Sequence, residues 1–254
     1  MRPLNDWLLA VKNILTPIFC HQCGIRLLTE ENLFFCPTCW EMSPRIEPPF
    51  CCICGKPHPT AAGFGLRGNF PCATCRSEPV PPYRRIYGAA RYAEAVEKAI
   101  KLLKFHGRRN VAQYLGALMR DFAVRHMDVG RYDCIVPVPL YRVRERERGY
   151  NQTRLLAQEI APVFPNARHD ESLQRIRPTI PQSRLRSPEE RRRNVAGAFA
   201  FRDRSTEGKS VLLIDDVVTT RDTVTECARV IREAGAENVD VFAAALALQR
   251  AADS

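Results

Sequence analysis

The sequence lacks any apolar run long enough to span a membrane. Hydrophobic residues make up 45% of its 254 positions, yet no stretch reaches the ~18 apolar residues that a spanning helix needs. A G-x-x-x-x-G-K-[ST] loop is also absent, which excludes a P-loop nucleotide hydrolase. Aromatic residues amount to 8%, and those near the arginine-rich segments are few (Tyr141, Tyr150). Stacking surfaces for single-stranded nucleic acid are therefore poorly represented.

A cleavable secretion signal is not indicated either. Residues 1–19 carry an apolar patch, but Lys12 and Asn13 interrupt it and no small-residue cleavage site follows. The pattern predicts a short amphipathic helix instead of a signal peptide. We therefore expect a cytoplasmic protein without stable membrane insertion.

Positive charge is in excess. The chain has 38 Lys and Arg against 28 Asp and Glu, a formal net charge of +10 with neutral histidines. This excess indicates a nucleic-acid or polyphosphate partner. The sum treats every cysteine as neutral, however. Two zinc ions, each held by four thiolates, would lower the net charge to about +6.

Cysteine is abundant near the start of the chain: nine of 11 cysteines lie before residue 76. Eight of them form four C-x-x-C pairs, a spacing at which both sulfurs can reach one zinc ion. Sequential sets predict two structural zinc ribbons, although crossed pairing fits the spacing too. Disulfides and iron–sulfur clusters are alternative uses. The predicted zinc ligands are Cys20, Cys23, Cys36, Cys39, Cys51, Cys54, Cys72 and Cys75.

The most informative stretch begins with the apolar run Val211–Ile214 and continues into Asp215 and Asp216. An unbroken apolar run predicts a central parallel strand buried on both faces. Helical periodicity follows from Val224, so the intervening turn lies where α/β sheets bind ligands. The backbone N–H groups of that helix start favour a phosphate. Paired carboxylates beside it favour a sugar phosphate with a hard cation such as Mg²⁺.

This stretch resembles the phosphoribosyl pyrophosphate (PRPP) motif of type I phosphoribosyltransferases. The shared features are the two acids and the hydroxyl-rich turn that follows them. The chain departs from that motif at Arg221, where the family usually has glycine. Glycine allows positive φ and a close approach of the backbone to phosphate. Arginine is unfavourable there on steric grounds, but it can offer a guanidinium to the phosphate.

Two arginine-rich segments, predicted as loops, occur upstream. The first spans residues 142–152 and ends in Arg148-Gly149-Tyr150-Asn151-Gln152. The second spans residues 175–194 and is rich in proline, which indicates a flap beside a site. A third basic cluster (Lys101, Lys104, Arg108 and Arg109) lies between two predicted helices, 94–105 and 111–124. Guanidinium groups suit phosphate oxygens, while solvated surface charge is the alternative interpretation.

These motifs together resemble the ComF family, which includes the competence protein ComF (ComFC) and GntX-type proteins. The resemblance covers almost the whole chain. It rests on the cysteine pairs and on four segments: Ile135-Val136-Pro137-Val138-Pro139, residues 148–152, Arg191-Arg192-Arg193-Asn194-Val195-x-Gly197-Ala198-Phe199, and Asp215-Asp216.

The resemblance implies an α/β fold, with a mostly parallel phosphoribosyltransferase-like sheet flanked by helices after a small double zinc ribbon. Pro79, Pro81 and Pro82 favour a linker, so residues 1–78 form the predicted ribbon domain and residues 79–254 the second domain. The resemblance also implies a link to DNA uptake and utilisation, or to nucleotide metabolism. Single-stranded DNA or the DNA-uptake machinery would be a further partner.

The family motif also implies roles for individual residues. Asp215 and Asp216 would be catalytic, holding the metal and the ribose hydroxyls. Val138, Pro139 and Arg148 would meet pyrophosphate. The remaining PRPP-binding residues would be Thr219, Thr220, Arg221, Asp222 and Thr223. Arg221 leaves catalysis open, so the alternative is a non-catalytic protein that keeps the fold and handles single-stranded DNA.

Overall fold

A computed structural model of the chain describes residues 17–27, 33–58, 69–180 and 187–248. The predicted N-terminal helix lies largely outside this part of the chain. Where the two overlap, Ile18–Phe19 form a strand instead.

The described residues form the following strands: β1 (Ile18–Phe19), β2 (Arg26–Leu27), β3 (Arg85–Arg91), β4 (Cys134–Pro137), β5 (Arg168–His169), β6 (Leu173–Arg175), β7 (Phe199–Phe201), β8 (Ser210–Val218) and β9 (Asn238–Leu246). The α-helices are α1 (Pro37–Glu41), α2 (Ala73–Ser77), α3 (Glu94–Phe105), α4 (Val111–His126), α5 (Arg142–Arg148), α6 (Gln152–Ile160), α7 (Pro188–Val195) and α8 (Asp222–Glu233). Short 3-10 turns occur at Val129–Arg131 and Ala161–Val163.

The main sheet is parallel and has the strand order β3-β9-β8-β4-β5. Strand β8 is central, and Val211–Ile214 are completely buried in it. Because β8 is covered on both faces, the unbroken apolar run is the expected pattern. This confirms the predicted α/β class, and the predicted helix at 94–105 coincides with α3.

The prediction of loops for both arginine-rich segments is wrong over part of each. The first contains α5, where Arg144 and Glu147 pair one turn apart at 3.3 Å. The second contains α7, whose start has a capping box between Ser187 and Glu190. Local capping and ion pairs of this kind stabilise helices even where charge density suggests a solvated loop.

Both cysteine-rich ribbons contact the α/β part of the chain. In the first, Phe34 and Trp40 pack edge-on against Tyr114 of α4, with ring centroids 5.8 and 5.9 Å away. In the second, Ile53 O accepts a hydrogen bond from Ile86 N of β3 at 2.8 Å. That residues 1–78 form a domain of their own therefore stays a prediction.

Within the described ranges, no helix is both long enough and apolar enough to cross a membrane.

Two glycines at matching positions of the ribbons provide a test of this docking. Gly24 and Gly55 each follow a C-x-x-C pair, with φ of +76° and +72°. A Cβ at Gly24 would meet nothing within 4 Å, whereas one at Gly55 would lie 2.5 Å from Ile86 O. Positive φ alone costs an alanine about 1 kcal/mol, and the clash adds about 2 kcal/mol.

We therefore expect Gly55→Ala to lower the thermal midpoint clearly more than the matched control Gly24→Ala. Thermal unfolding of the two metal-loaded variants, followed by circular dichroism, measures the difference. Equal midpoints would show that the second ribbon does not pack closely on β3.

Candidate functional site

Asp216 lies near the carboxyl end of β8 and forms an ion pair with Lys104 of α3, with Nζ and Oδ1 2.7 Å apart. Burial opposes the charged form of Lys104, but the Asp216 carboxylate raises the pKa of this ammonium above its usual value. The other oxygen, Asp216 Oδ2, is buried and accepts no hydrogen bond within the described ranges. Because buried polar atoms are nearly always paired, this oxygen fits a sugar hydroxyl or a hydrated cation.

Asp215 precedes Asp216 and points to the opposite face of the sheet, because side chains alternate along a strand. Its carboxylate accepts a hydrogen bond from Asp216 N at 2.8 Å. Burial, and then the negative charge of Asp216, raises the pKa of Asp215 to about 7, while Lys104 and Arg175 oppose the rise. Each of these buried acids offers carboxylate oxygens of the kind that a hard cation prefers.

The turn after β8 leads directly into α8, which begins at Asp222. Thr220 Oγ1 donates to Asp222 Oδ2 at 2.5 Å, which holds the turn against the first helical residue. Asp215, Thr219 and Thr223 line a small depression at this helix end. The N-cap residue makes no side-chain capping bond, and the N-terminus of a helix favours an anion.

Arg221 is the N-cap residue of α8 and adopts the left-handed conformation, with φ of +69°. This is the backbone conformation that the family glycine would favour. The guanidinium points away from the turn. It donates to Glu78 Oε2 at 2.8 Å, and Nη1 lies 3.7 Å from Cys75 Sγ. Arg221 therefore belongs to the turn through its backbone and to the second ribbon through its side chain.

The turn at Val138 and Pro139 lies beside β8, since Val138 N donates to Ile214 O at 2.9 Å. Its shape depends on the start of α6: Asn151 Nδ2 and Thr153 Oγ1 both donate to Val138 O, at 3.1 and 2.5 Å. The sequence predicts that the segment 148–152 meets a phosphate. Within this segment, the buried side-chain amide of Asn151 fixes the Val138–Pro139 turn and caps α6.

Arg148 ends α5 and is within electrostatic reach of the aspartates. Burial lowers the pKa of its guanidinium, and the charge of Asp216 opposes this shift. The group donates to the Gln152 side chain and lies 5.9 Å from the ring centroid of Phe105. It is thus held beside the acids by a hydrogen bond and a cation–π contact.

The basic cluster between α3 and α4 does not act as one unit. Lys101 pairs with Glu97 on an exposed face at 2.6 Å, and Arg109 donates to Gly149 O at 2.7 Å. Lys104 alone of these three contacts an aspartate of the site. The signal was present in the sequence, because Lys104 follows the buried Ile100 by one helical turn and shares its face, whereas Lys101 lies about 100° around the helix from Ile100.

Sequence reasoning did not single out Arg175, at the end of β6. Its guanidinium is largely buried and lies 5.3 Å from the ring centroid of Phe199. Burial lowers its pKa, and the negative charge of Asp215 opposes this shift. An arginine at a strand end cannot be placed from the sequence, because its position beside Phe199 depends on the pairing of β6 with β7.

The second arginine-rich segment is closed at its base. Arg177 Nη2 donates to Asn194 O at 3.1 Å and to Ala196 O at 2.7 Å. Asn194 in turn exchanges two side-chain hydrogen bonds with the backbone of Ile180, at 2.9 and 2.8 Å. These bonds join the two ends of the predicted flap.

A groove of about 640 Å³ separates the second ribbon from the turn before α8. Both polar and apolar groups line it. They include Cys75, Glu78, Tyr83, Arg192, Arg221 and Thr225.

The eight paired cysteines converge into two clusters of four. In each cluster all four sulfurs lie within 4.8 Å of one another. The Sγ atoms of Cys23 and Cys36 are 3.8 Å apart, as are those of Cys54 and Cys72. Tetrahedral coordination with bonds of about 2.3 Å requires sulfurs about 3.8 Å apart. The sets are sequential rather than crossed, and none of the 11 cysteines is in a disulfide.

The same backbone pattern surrounds both clusters. Cys20 Sγ accepts from the N–H of Gln22 and Cys36, at 3.4 and 3.3 Å. Cys51 Sγ accepts from three backbone N–H groups, including that of Cys72 at 3.3 Å. Burial opposes ionisation, but these donors lower the pKa of Cys20 to about 6 and that of Cys51 to about 7. Cysteine binds metals as the thiolate, so a lowered pKa suits a metal ligand.

Comparison with known proteins finds several relatives. DNA utilization protein YhgH of Escherichia coli K12 is 32% identical over 210 residues, covering 82% of this chain and 88% of the relative. Competence protein F of Haemophilus influenzae is 31% identical over 182 residues, covering 69% and 78%. No protein-family model matches the chain.

Among solved structures, a glutamine PRPP amidotransferase from B. subtilis is 19% identical, with a TM-score of 0.41. The superposition covers 57% of this chain and 30% of that one, so the chain spans less than a third of that enzyme's length.

The Lys104–Asp216 pair yields a stability prediction with a matched control. Lys104→Met keeps the aliphatic stem but leaves a buried carboxylate unpaired, so we expect the free energy of unfolding to fall by about 2–3 kcal/mol. Lys101→Met, three residues earlier and exposed on the same helix, should change this free energy by less than about 0.5 kcal/mol. Chemical denaturation measures both values.

Adding Asp216→Asn to Lys104→Met should recover part of the lost stability, because the unpaired charge is removed. Equal effects of the two lysine substitutions would contradict a buried ion pair at this position.

Proposed function

Because the chain belongs to the ComF family, we propose that it binds PRPP with Mg²⁺ at the end of β8. The observation that carries the proposal is the buried Asp216 Oδ2, which lacks a protein partner among the described residues. Asp216 is followed along the chain by the turn into α8, whose N-cap residue makes no side-chain capping bond. An acid pair next to a helix N-terminus provides for both the hydroxyl and the phosphate parts of one ligand.

Each predicted residue has a role in this proposal. Asp215 and Asp216 hold the ribose hydroxyls and the cation. The backbone of the turn from Thr219 to Thr223 surrounds the 5-phosphate, with the threonine hydroxyls as additional donors. The Val138–Pro139 turn and Arg148 meet the pyrophosphate. Arg221 contributes its backbone N–H, since its guanidinium is engaged by Glu78.

The proposed reaction is displacement of pyrophosphate at C1 of the ribose. The C1–O bond breaks, and its electron pair leaves with pyrophosphate. A nitrogen of an incoming base or amine forms the new C1–N bond and then loses a proton. When bound, Mg²⁺ would neutralise the leaving group. Arg148 supplies a fixed positive charge, and the carboxylates offset charge that develops on the ribose ring.

We further propose that both cysteine clusters hold structural zinc. Four thiolates at tetrahedral spacing fill the coordination shell, so no position stays open for a substrate. In the ribbons few apolar side chains are fully buried, so the metal would contribute much of their folding free energy. Reduced cysteines of this kind fit a cytoplasmic protein.

A second candidate function is the handling of single-stranded DNA without catalysis. The names of the relatives refer to DNA utilisation and competence, and α7 presents exposed arginines at 192 and 193. Phosphate contacts of this type predict an affinity for DNA that falls steeply with salt. A DNA affinity that PRPP leaves unchanged would favour this function over pentosyl transfer.

The PRPP proposal is tested by Asp216→Asn, which removes the charge at nearly constant volume. Loss of a charge-assisted hydrogen bond costs about 1.5–3 kcal/mol, so the PRPP affinity should fall by about tenfold to hundredfold. Calorimetric titration with PRPP in Mg²⁺ measures it. A screen for pyrophosphate release over bases and DNA fragments then tests turnover.

Asp121→Asn is the matched control for this titration. Asp121 pairs with Arg125 on the exposed surface of α4, so its loss should leave the PRPP affinity unchanged. Equal PRPP affinities in wild type and Asp216→Asn would show that the site is assigned wrongly.

The metal proposal is tested by two neighbouring cysteines. Cys54 belongs to the second cluster, whereas Cys52 lies outside both clusters. Cys54→Ser should lose about one of two zinc ions per chain and lower the thermal midpoint, because a ligand is missing. Cys52→Ser should keep both ions. Elemental analysis of the purified proteins gives the zinc content, and an unchanged content in Cys54→Ser would contradict the assignment.

A further inference from the structure

Arg221 is shared between two parts of the molecule that the proposed function treats separately. Its backbone forms the turn before α8, and its guanidinium contacts a residue of the second cysteine cluster. The side chain is mostly buried: 26% of it is exposed. A surface arginine that merely replaced a glycine would extend into solvent instead.

The partner of this contact has a fixed position. The second ribbon is joined to β3 by the hydrogen bond from Ile86 N to Ile53 O, at 2.8 Å. Gly55 lies so close to Ile86 and Leu246 that a Cβ there would clash with the backbone. Since the ribbon is held to the sheet independently of Arg221, it can act as a frame for the turn.

The contact stabilises both of its partners. A divalent ion bound by four thiolates leaves two net negative charges on the cluster. Guanidinium N–H groups near a ligand sulfur stabilise that charge, and partners of this kind tune metal affinity. In the opposite direction, the charged cluster and Glu78 hold the guanidinium. They thereby favour the positive φ that arginine rarely adopts.

We propose that Arg221 couples metal binding at the second cysteine cluster to the conformation of the turn before α8. The part of the proposal that concerns phosphate rests on the proposed function. With metal bound, the guanidinium is held and the turn presents its N–H groups to the phosphate. Coupling of this kind is reciprocal, so phosphate bound at the turn also increases the metal affinity of Cys51, Cys54, Cys72 and Cys75.

The first test is zinc loss from the intact zinc-loaded protein to a chromogenic chelator. Removal of a partner of a metal ligand typically costs tenfold to hundredfold in metal affinity. In Arg221→Gly we expect one of the two zinc ions to be lost about tenfold faster and the other at the wild-type rate. Glycine accepts the backbone conformation at this position, so the variant should fold.

Two further variants separate the contact from a general loss of stability. Arg221→Lys keeps the charge but offers one nitrogen in place of the two that reach Glu78 and Cys75, so its zinc loss should fall between wild type and Arg221→Gly. Glu78→Gln weakens the hold on the guanidinium and should also accelerate the loss of one ion. Unchanged zinc loss in Arg221→Gly and in Glu78→Gln would overturn the proposal.

The second test adds PRPP and Mg²⁺ to the same assay. PRPP should slow the loss of one zinc ion from wild type and have no effect on zinc loss from Arg221→Gly. If calorimetry shows PRPP binding but zinc loss is unaffected in both proteins, the coupling is wrong. If calorimetry shows no PRPP binding to wild type, the proposed function is wrong. The link between Arg221 and the cluster is then decided by the zinc loss of Arg221→Gly alone.

Discussion

The structure depends on the burial of β8 on both faces at the centre of a parallel sheet. Residues Val211–Ile214 are completely buried there, so the strand is held by apolar packing along its whole first half. The polar residues Asp215 and Asp216 follow only where the strand approaches the carboxyl edge of the sheet. The fold thus buries two acids that could not be buried without partners. Lys104 is the partner of Asp216.

Electrostatics at this edge follows from that burial. The pKa of Asp215 is raised by burial and by its neighbour, while Lys104 stays charged because Asp216 is beside it. Arg148 and Arg175 approach from different elements, and each has a pKa lowered by burial. The carboxyl edge of β8 thus brings two acids and several cations together in a mostly buried volume.

The ribbons are part of this arrangement and not an appendage. The second ribbon forms a hydrogen bond with β3, borders the groove beside the turn, and receives the side chain of Arg221. The departure from glycine at this position therefore has a structural counterpart in Glu78 and Cys75. Arginine is unfavourable at a position of positive φ, but it is accommodated here because its side chain has partners elsewhere.

The sequence by itself determined the α/β class, helix α3, the central strand and the four cysteine pairs. Each is encoded in local periodicity or spacing. It also suggested the acids, because polar residues directly after a buried strand mark the sheet edge. The helices in the arginine-rich segments were not predicted, because their high charge density suggested solvated loops. Local caps and ion pairs stabilise them as helices.

Only the tertiary structure decided which cations face the acids, that the cysteine sets are sequential, and where the Arg221 side chain lies. These are contacts between residues far apart in the chain, such as Arg221 with Cys75 and Lys104 with Asp216. Local sequence patterns specify elements, whereas the packing of elements against one another specifies their long-range partners.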